Sequence, residues 1–510
     1  MPEDRSQPSE PPKSPPTEEP KAPARDTLPG GFSLGALADD LLDGVERLRS
    51  EAAEAIEPSL RLGVTGLSGA GKTVFITALT LSLLERDRMR RFGPAAKGRI
   101  AAAMLRPQPD DDVARFGLES HTAALRADPP AWSESTRSVS QIRVSLRLAE
   151  SGFFETLTSP LVGPRVVNLD IVDYPGEWLL DLPLMEQDYE TWSAAALSDA
   201  ARPARAAAAA GWHAALGAAD PAAPHSEAAA AALAEGWAGY LAACRAAGLS
   251  TLAPGRFLMP GDYAGSPALS FAPLPRPEAA AGRAPGTLWH EMRRRFEAYK
   301  RGIVQPFFRR HFARLDRQVV LVDALTALSR GPQALADMTE GLSSILGAFR
   351  HGRPGWLDRL IGQARIDRIL VAATKADRLH HSQHPQMTAL IEAMLAEAVR
   401  RAAFSGAEVR AMALASVRST AEQEVDRPEG AIPMVRGRRL DDGREVALHP
   451  GALPADPVAL LSGATATAGE TWEDGGYASV VFRPPRWGTG GPPHIRLDSA
   501  LDFLIGDRLG

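Results

Sequence analysis

Residues Gly66-Leu67-Ser68-Gly69-Ala70-Gly71-Lys72-Thr73 match the pattern G-x-x-x-x-G-K-[ST] at every position. The chemistry of that pattern is phosphate binding. Glycines let the backbone curl until successive N–H groups point at phosphate oxygens. The helix that resumes at Val74 adds the positive end of its dipole. Lys72 is expected to reach the β- and γ-phosphates of a nucleoside triphosphate, and Thr73 to ligate Mg²⁺ through its hydroxyl. Ser68, Gly69, Ala70, Gly71 and Val74 are expected to line the cradle. The bland alternative is a glycine turn between strand and helix, which a full match in the right context outweighs.

Three further clusters follow in the order a guanine-nucleotide site requires. Asp173-Tyr174-Pro175-Gly176 ends an apolar run; there Asp173 is expected to face Mg²⁺ and the Gly176 N–H to meet a γ-phosphate. Thr374-Lys375-Ala376-Asp377 fits [NT]-K-x-D. The Asp377 carboxylate can accept from guanine N1–H and the exocyclic amine together, a donor pair that adenine lacks. Lys375 would lie along the base plane, and Thr374 would tie this loop to the phosphate loop. Ser416 and Val417 sit where a short loop offers a backbone N–H to guanine O6, with a plain strand-to-helix turn as the equal alternative.

Thr136 is the candidate for the mobile threonine that completes the Mg²⁺ shell, with Ser135 and Ser138 as rivals. Glu177 occupies the position where many small GTPases carry a water-orienting glutamine. A carboxylate cannot donate a hydrogen bond to a phosphoryl oxygen, and its charge sits poorly beside a γ-phosphate. Glu177 is therefore read either as a catalytic residue or as half of a structural ion pair directed at the helices that follow. Arg137 is the candidate for the cationic role of an arginine finger. The catalytic set is thus Lys72, Thr136, Arg137, Gly176 and Glu177, and the metal set is Thr73, Thr136 and Asp173. His380, His381 and His384 cluster just after Asp377; a zinc site needs more ligands than the surrounding sequence offers, and a polar helix start beside the base pocket is the simpler reading.

The elements that must position these residues follow from periodicity. Leu60–Thr65, Gln141–Leu148, Arg165–Asp173, Gln318–Leu325, Ile366–Thr374 and Val409–Ala415 read as strands. Helix-like segments separate the last three, which points to a mainly parallel sheet with helices on both faces. The fold expected is α/β, a mainly parallel sheet with helices on both faces, with an inserted helical domain and a small β-rich insertion. The domain reading is a Pro/Glu-rich tail over 1–30 with nine prolines, a helix over 31–57, core over 58–177 and 318–420, helical insertion over 178–317, β-rich insertion over 421–492 and a closing helix over 493–510. The tail has too few apolar residues to offset its ordering entropy. Asp442-Gly443 marks a hairpin, and Leu288, Met292, Phe296 and Tyr299 share one helix face.

At 510 residues the chain exceeds a single simple core, and its net charge of −5 offers no bulk attraction to nucleic acid. The single cysteine, Cys244, excludes an internal disulfide framework and suits a reducing compartment. No apolar run of transmembrane length and no signal peptide are read.

The strings LGVTGLSGAGKTVFITAL, WSESTR, LDIVDYPGEWLLDLPL, ATKADRLHHSQHPQM, ALASVRST and PHIRLDSALDFLIGD closely resemble the YcjX-like family of bacterial GTPases, over about residues 60 to 508. The resemblance implies a Ras-like P-loop GTPase core with extra domains, binding and hydrolysis of GTP to GDP with Mg²⁺, a cytoplasmic location (peripheral at the inner membrane through a partner), a link to envelope stress, and a membrane protein as a candidate partner. Two other readings stay open: a nucleotide-dependent binding module with negligible turnover, and an ATP-dependent P-loop kinase, against which Thr374–Asp377 argues.

Overall fold

In the computed structural model, which describes residues 58–67, 69–133, 138–149, 165–348, 366–404, 407–428, 430–453, 456–461 and 480–509, the apolar runs become strands of one sheet. β1 (Ser59–Gly66) lies between β5 (Val166–Asp173) and β6 (Arg317–Val322), and β7 (Arg368–Ala373) and β8 (Glu408–Ala413) continue the sheet beyond β6, all in parallel. On the other side of β5, β4 (Ser140–Leu148) and β2 (Ile100–Arg106) pair antiparallel, and the short β3 (Ala114–Arg115) runs beside the start of β4. This mainly parallel sheet with helices is a Ras-like P-loop core.

The side-chain period of two sorts each strand between two cores. On one face, Val319 and Leu321 of β6 and Leu370 and Ala372 of β7 pack with α1 (Lys72–Glu85) and the closing helix. On the opposite face, Val320, Val322, Val371 and Ala373 join an apolar cluster with the helices between β5 and β7. Burial on both faces is why these strands read as unbroken apolar runs.

α2 (Leu118–Arg126) lies between β3 and β4, and the insertion between β5 and β6 carries α3 (Tyr189–Ala200), α4 (Pro203–Gly217), α5 (Glu227–Ala246), α6 (Leu288–Tyr299) and α7 (Gln305–Arg310). Pro203 opens α4, where its missing N–H costs nothing. Ser226 and Thr287 cap α5 and α6 by accepting from backbone N–H groups three residues on. Trp192, Trp237, Phe271, Phe296 and Tyr299 fill its interior, with Trp192 stacked on Phe296 at 4.9 Å between centroids. Cys244 is fully buried among them. α8 (Ala324–Ser329) and α9 (Pro332–Ala348) follow β6, and α10 (His384–Phe404) follows β7. A three-stranded antiparallel sheet, β9 (Ala421–Val425), β10 (Ile432–Arg438) and β11 (Glu445–Leu448), carries the hairpin expected at Asp442-Gly443, with Gly443 at φ 70°. α11 (Leu497–Ile505) closes the fold.

The structure redraws parts of this reading. The strand read as Gln318–Leu325 ends at Val322, because Asp323 accepts from the Thr326 N–H and starts α8. It begins one residue early, at Arg317, which is 1% exposed and holds Asp367, Asp507 and the Leu504 carbonyl. β2 and β3 are additional: β2, with sequence IAAAMLR, is an alanine-rich edge strand with little β-propensity to betray it. The tail and the helix read over 31–57 lie outside the described residues.

Candidate nucleotide site

β1 runs into Gly66, and α1 begins at Lys72. A Cβ on Gly66 would lie 2.7 Å from the Leu321 carbonyl oxygen, so only glycine lets β1 and β6 approach there. Gly69 and Gly71 have φ of 78° and 86°, the left-handed region that glycine enters without strain. The loop is closed by Ala70 N–H donating to the Leu67 carbonyl at 3.0 Å. Lys72 Nζ donates to the Gly66 carbonyl at 3.1 Å, so the ammonium folds back over the loop. Thr73, in the first turn of α1, is 6% exposed. Ser68 lies outside the described residues.

Register brings the second motif to the first. β5 pairs with β1 so that Asp173 lies opposite Val64, and Asp173 is 1% exposed. Three residues later a Cβ on Gly176 would come within 2.4 Å of the Gly66 carbonyl oxygen. The obstacle is backbone, which cannot rotate away. Gly176→Ala is therefore expected to push the two loops apart and cost about 1–3 kcal/mol of stability, with weakened binding of a triphosphate relative to a diphosphate. Thermal melts and nucleotide titrations check this; an unperturbed variant would show that the approach is unimportant.

The segment after Gly176 turns into the helical insertion. Glu177 is 5% exposed, and its Oε1 lies 3.7 Å from the Arg245 guanidinium of α5. Trp178 donates from Nε1 to the Met259 carbonyl at 3.0 Å, and the Arg256 guanidinium stacks 3.2 Å from its ring centroid. Gly255 packs so closely that a Cβ there would meet the Glu177 carbonyl at 2.0 Å. Asp181 accepts from the Gly255 N–H at 2.7 Å and from the Tyr299 hydroxyl at 2.5 Å. Burial pushes the Asp181 carboxyl up to about 6, against the pull of those hydrogen bonds and of Arg256. A carboxyl raised on folding contributes stability that is full below its unfolded value and is lost as pH rises through about 6. Asp181→Asn, which stays neutral, is expected to lose less melting temperature than the parent between pH 4 and pH 7. Equal slopes in the two proteins would remove Asp181 as the source.

The base loop follows β7. Lys375 takes a left-handed φ of 61° and ion-pairs with Asp323 at the end of β6. Thr374 donates from its hydroxyl to the Val322 carbonyl at 3.2 Å. The tie expected between Thr374 and the phosphate loop is thus made to the end of β6, the adjacent strand. Asp377 is 5% exposed, and its Oδ2 accepts from the Ser419 N–H at 2.9 Å and the Ser419 hydroxyl at 2.5 Å. Thr420 donates to the Asp377 carbonyl. His384 holds the Ala376 carbonyl at 2.9 Å. Ser416 and Val417 lie on the same loop as Ser419, with Val417 packed into the core. Ser419 escaped the sequence reading; a second serine three residues after Ser416 was the available signal. Asp323, Arg245 and Arg256 had no local signal. Thr136, Arg137 and Ser135 lie outside the described residues.

The three motifs therefore sit at the C-terminal ends of the parallel strands β1, β5 and β7, where ligands of open α/β sheets bind. Residues 60–509 match the model of the YcjX-like family, DUF463. This chain belongs to the YcjX-like family. It is 38% identical over 478 residues to a protein of Escherichia coli (strain K12) named Ras-like GTPase YcjX, an alignment covering 91% of this chain and all of that protein. It is 34% identical over 476 residues to a protein of the same name from Shewanella oneidensis, covering 88% of this chain and 94% of that one. Within this family member, no helix among the described residues is long and apolar enough to cross a membrane.

Proposed function

We propose that this chain binds GTP with Mg²⁺ and hydrolyses it slowly to GDP and phosphate as a molecular switch. What supports the reading most is the convergence of the glycine-rich loop, Asp173 with Gly176, and Asp377 with Ser419 at the C-terminal end of the parallel strands. The left-handed Gly69 and Gly71 leave open space at the loop, as phosphate oxygens require. The oxygen donors Thr73 and Asp173 suit a hard cation and would hold Mg²⁺. When bound, Mg²⁺ supplies positive charge beside the β- and γ-phosphates. Lys72 releases Gly66 and adds its own charge there, the Gly176 N–H meets the γ-phosphate, and Asp377 reads the guanine edge while Ser419 holds its second face. Thr136 would complete the set that holds the metal, and Arg137 would supply transition-state charge. In the reaction, water oxygen bonds to the γ-phosphorus, the bond to the bridging oxygen breaks, and the water proton leaves with phosphate.

Slow turnover is supported by Glu177, whose carboxylate is turned to Arg245 of the insertion. The same observation favours the second reading, a binding module with negligible hydrolysis. The family resemblance extends the first reading to a cytoplasmic switch that meets a protein effector, a membrane protein among the candidates, under envelope stress.

Single-turnover hydrolysis by the full chain tests the proposal, with nucleotide competition alongside. The expected result is slow release of phosphate from GTP, little displacement of GTP by equimolar ATP, and a rate nearly unchanged in Glu177→Gln. Equal displacement by ATP would favour a kinase. Undetectable phosphate release would leave the binding module, and fast turnover that collapses in Glu177→Ala with affinity intact would make Glu177 the water-positioning residue.

A further inference from the structure

We propose that His380, His381 and Glu422, with Glu424 as a fourth ligand, bind one divalent transition-metal ion of the zinc class at the seam between the base loop and the small sheet. Two histidines leave the loop that carries Asp377, and two glutamates stand on β9. Residues 422 and 424 are two apart on a strand, so their side chains share a face. One ligand atom from each of His380, His381 and Glu422 lies within 4.8 Å of the others. His381 Nδ1 is 2.8 Å from Glu422 Oε2, and His380 Nε2 is 4.0 Å from Glu424 Oε1.

The surroundings of each ligand fit the role. His380 is 4% exposed, and its Nδ1 sits 3.0 Å from the Ser382 hydroxyl. The Ser382 N–H also reaches Nδ1, at 3.4 Å, so a metal at Nε2 requires the tautomer that carries its proton on Nδ1 and donates it to the Ser382 hydroxyl in place of that long contact. Glu422 uses Oε1 towards Arg418, 3.6 Å away, which leaves Oε2 on the metal side. The two imidazole centroids are 4.2 Å apart, close enough for both rings to reach one ion. A tetrahedral zinc ion holds nitrogen and oxygen at about 2.0–2.2 Å, so the His381–Glu422 pair, 2.8 Å apart, must open slightly and the His380–Glu424 pair, 4.0 Å apart, must close. The side chains of His381 and Glu424 are 66% and 64% exposed and are free to rotate into place. Two nitrogens with two carboxylates select Zn²⁺ over Mg²⁺ or Ca²⁺, which prefer all-oxygen shells.

A second cluster, His225, Glu227 and Glu291, has similar spacing. Its carboxylates are already engaged by Arg294 and Arg295, so it serves as the control.

The test is calorimetric titration of Zn²⁺ alone into the full chain, stripped with chelator and dialysed. One equivalent is expected to bind and to raise the melting temperature. His381→Gln and Glu422→Gln are each expected to weaken that site at least about tenfold, while His225→Gln leaves it unchanged. Far-UV circular dichroism of the metal-free variants confirms folding, and Glu424→Gln, on an exposed side chain, provides a variant with no folding role. Co²⁺ in place of Zn²⁺ should show the strong visible absorption of tetrahedral coordination, lost in the same variants. The proposal is overturned by absence of stoichiometric binding, by affinities equal across parent and variants, or by loss confined to His225→Gln. Metal binding is read without nucleotide, so its failure is separate from failure of the GTP reading.

Discussion

Lys72→Ala is expected to lower GTP hydrolysis by about a hundred- to a thousandfold, the scale lost when one preorganised donor to a transition-state oxygen is removed. Lys72 is the only cation among the described phosphate-loop residues 66–73, and its Nζ reaches the Gly66 carbonyl at 3.1 Å. The loop glycines supply N–H dipoles but no full charge. As negative charge redistributes over the β–γ bridge, nothing else in the loop can neutralise it. The loop conformation itself rests on Gly69, Gly71 and the Ala70 to Leu67 hydrogen bond, none of which involves the lysine side chain. The variant should therefore melt near the parent temperature while its single-turnover rate collapses. Parent-like turnover in Lys72→Ala would place the phosphates elsewhere.

Asp377→Asn is expected to weaken GTP binding by about 1.5–3 kcal/mol, the worth of a hydrogen bond to a charged group, or roughly ten- to a hundredfold in affinity. The geometry sharpens the reason. Ser419 donates to Asp377 Oδ2 through both its N–H and its hydroxyl. An asparagine would turn its carbonyl oxygen to those two donors and its amide towards the base. That amide meets the guanine N1–H and amine donor to donor. Xanthine carries an acceptor in place of the amine, so the variant should prefer xanthosine triphosphate. Competition titrations with the two nucleotides decide it, and full GTP affinity in the variant would sink the base-reading assignment. Ser419→Ala should shift affinity in the same direction by a smaller amount, since it removes one of the two Ser419 donors.

The motifs were legible because each is a local event. A strand that runs into a loop with left-handed glycines and then starts a helix needs only neighbouring residues to take its shape, as with Gly69 and Gly71 between β1 and α1. The parallel strands announced themselves because burial on both faces leaves no polar alternation. β2 escaped because an edge strand is half-solvated and its alanines carry no strand signal. The run read past Val322 shows the opposite failure: an apolar string continued into α8, and only the Asp323 cap marked the boundary.

By itself the sequence determined the glycine-rich turn from strand to helix, the order of the three motifs, the mainly parallel sheet and the family resemblance, each read from short local strings of residues. Tertiary structure decided which side chains complete them. Asp377 meets Ser419 across 42 residues of chain, Lys375 meets Asp323, Glu177 faces Arg245 rather than open solvent, and His380 and His381 face β9. Spacing in the chain sets backbone conformation, but contact between distant side chains depends on sheet register and on how the insertion packs, which only the assembled core fixes.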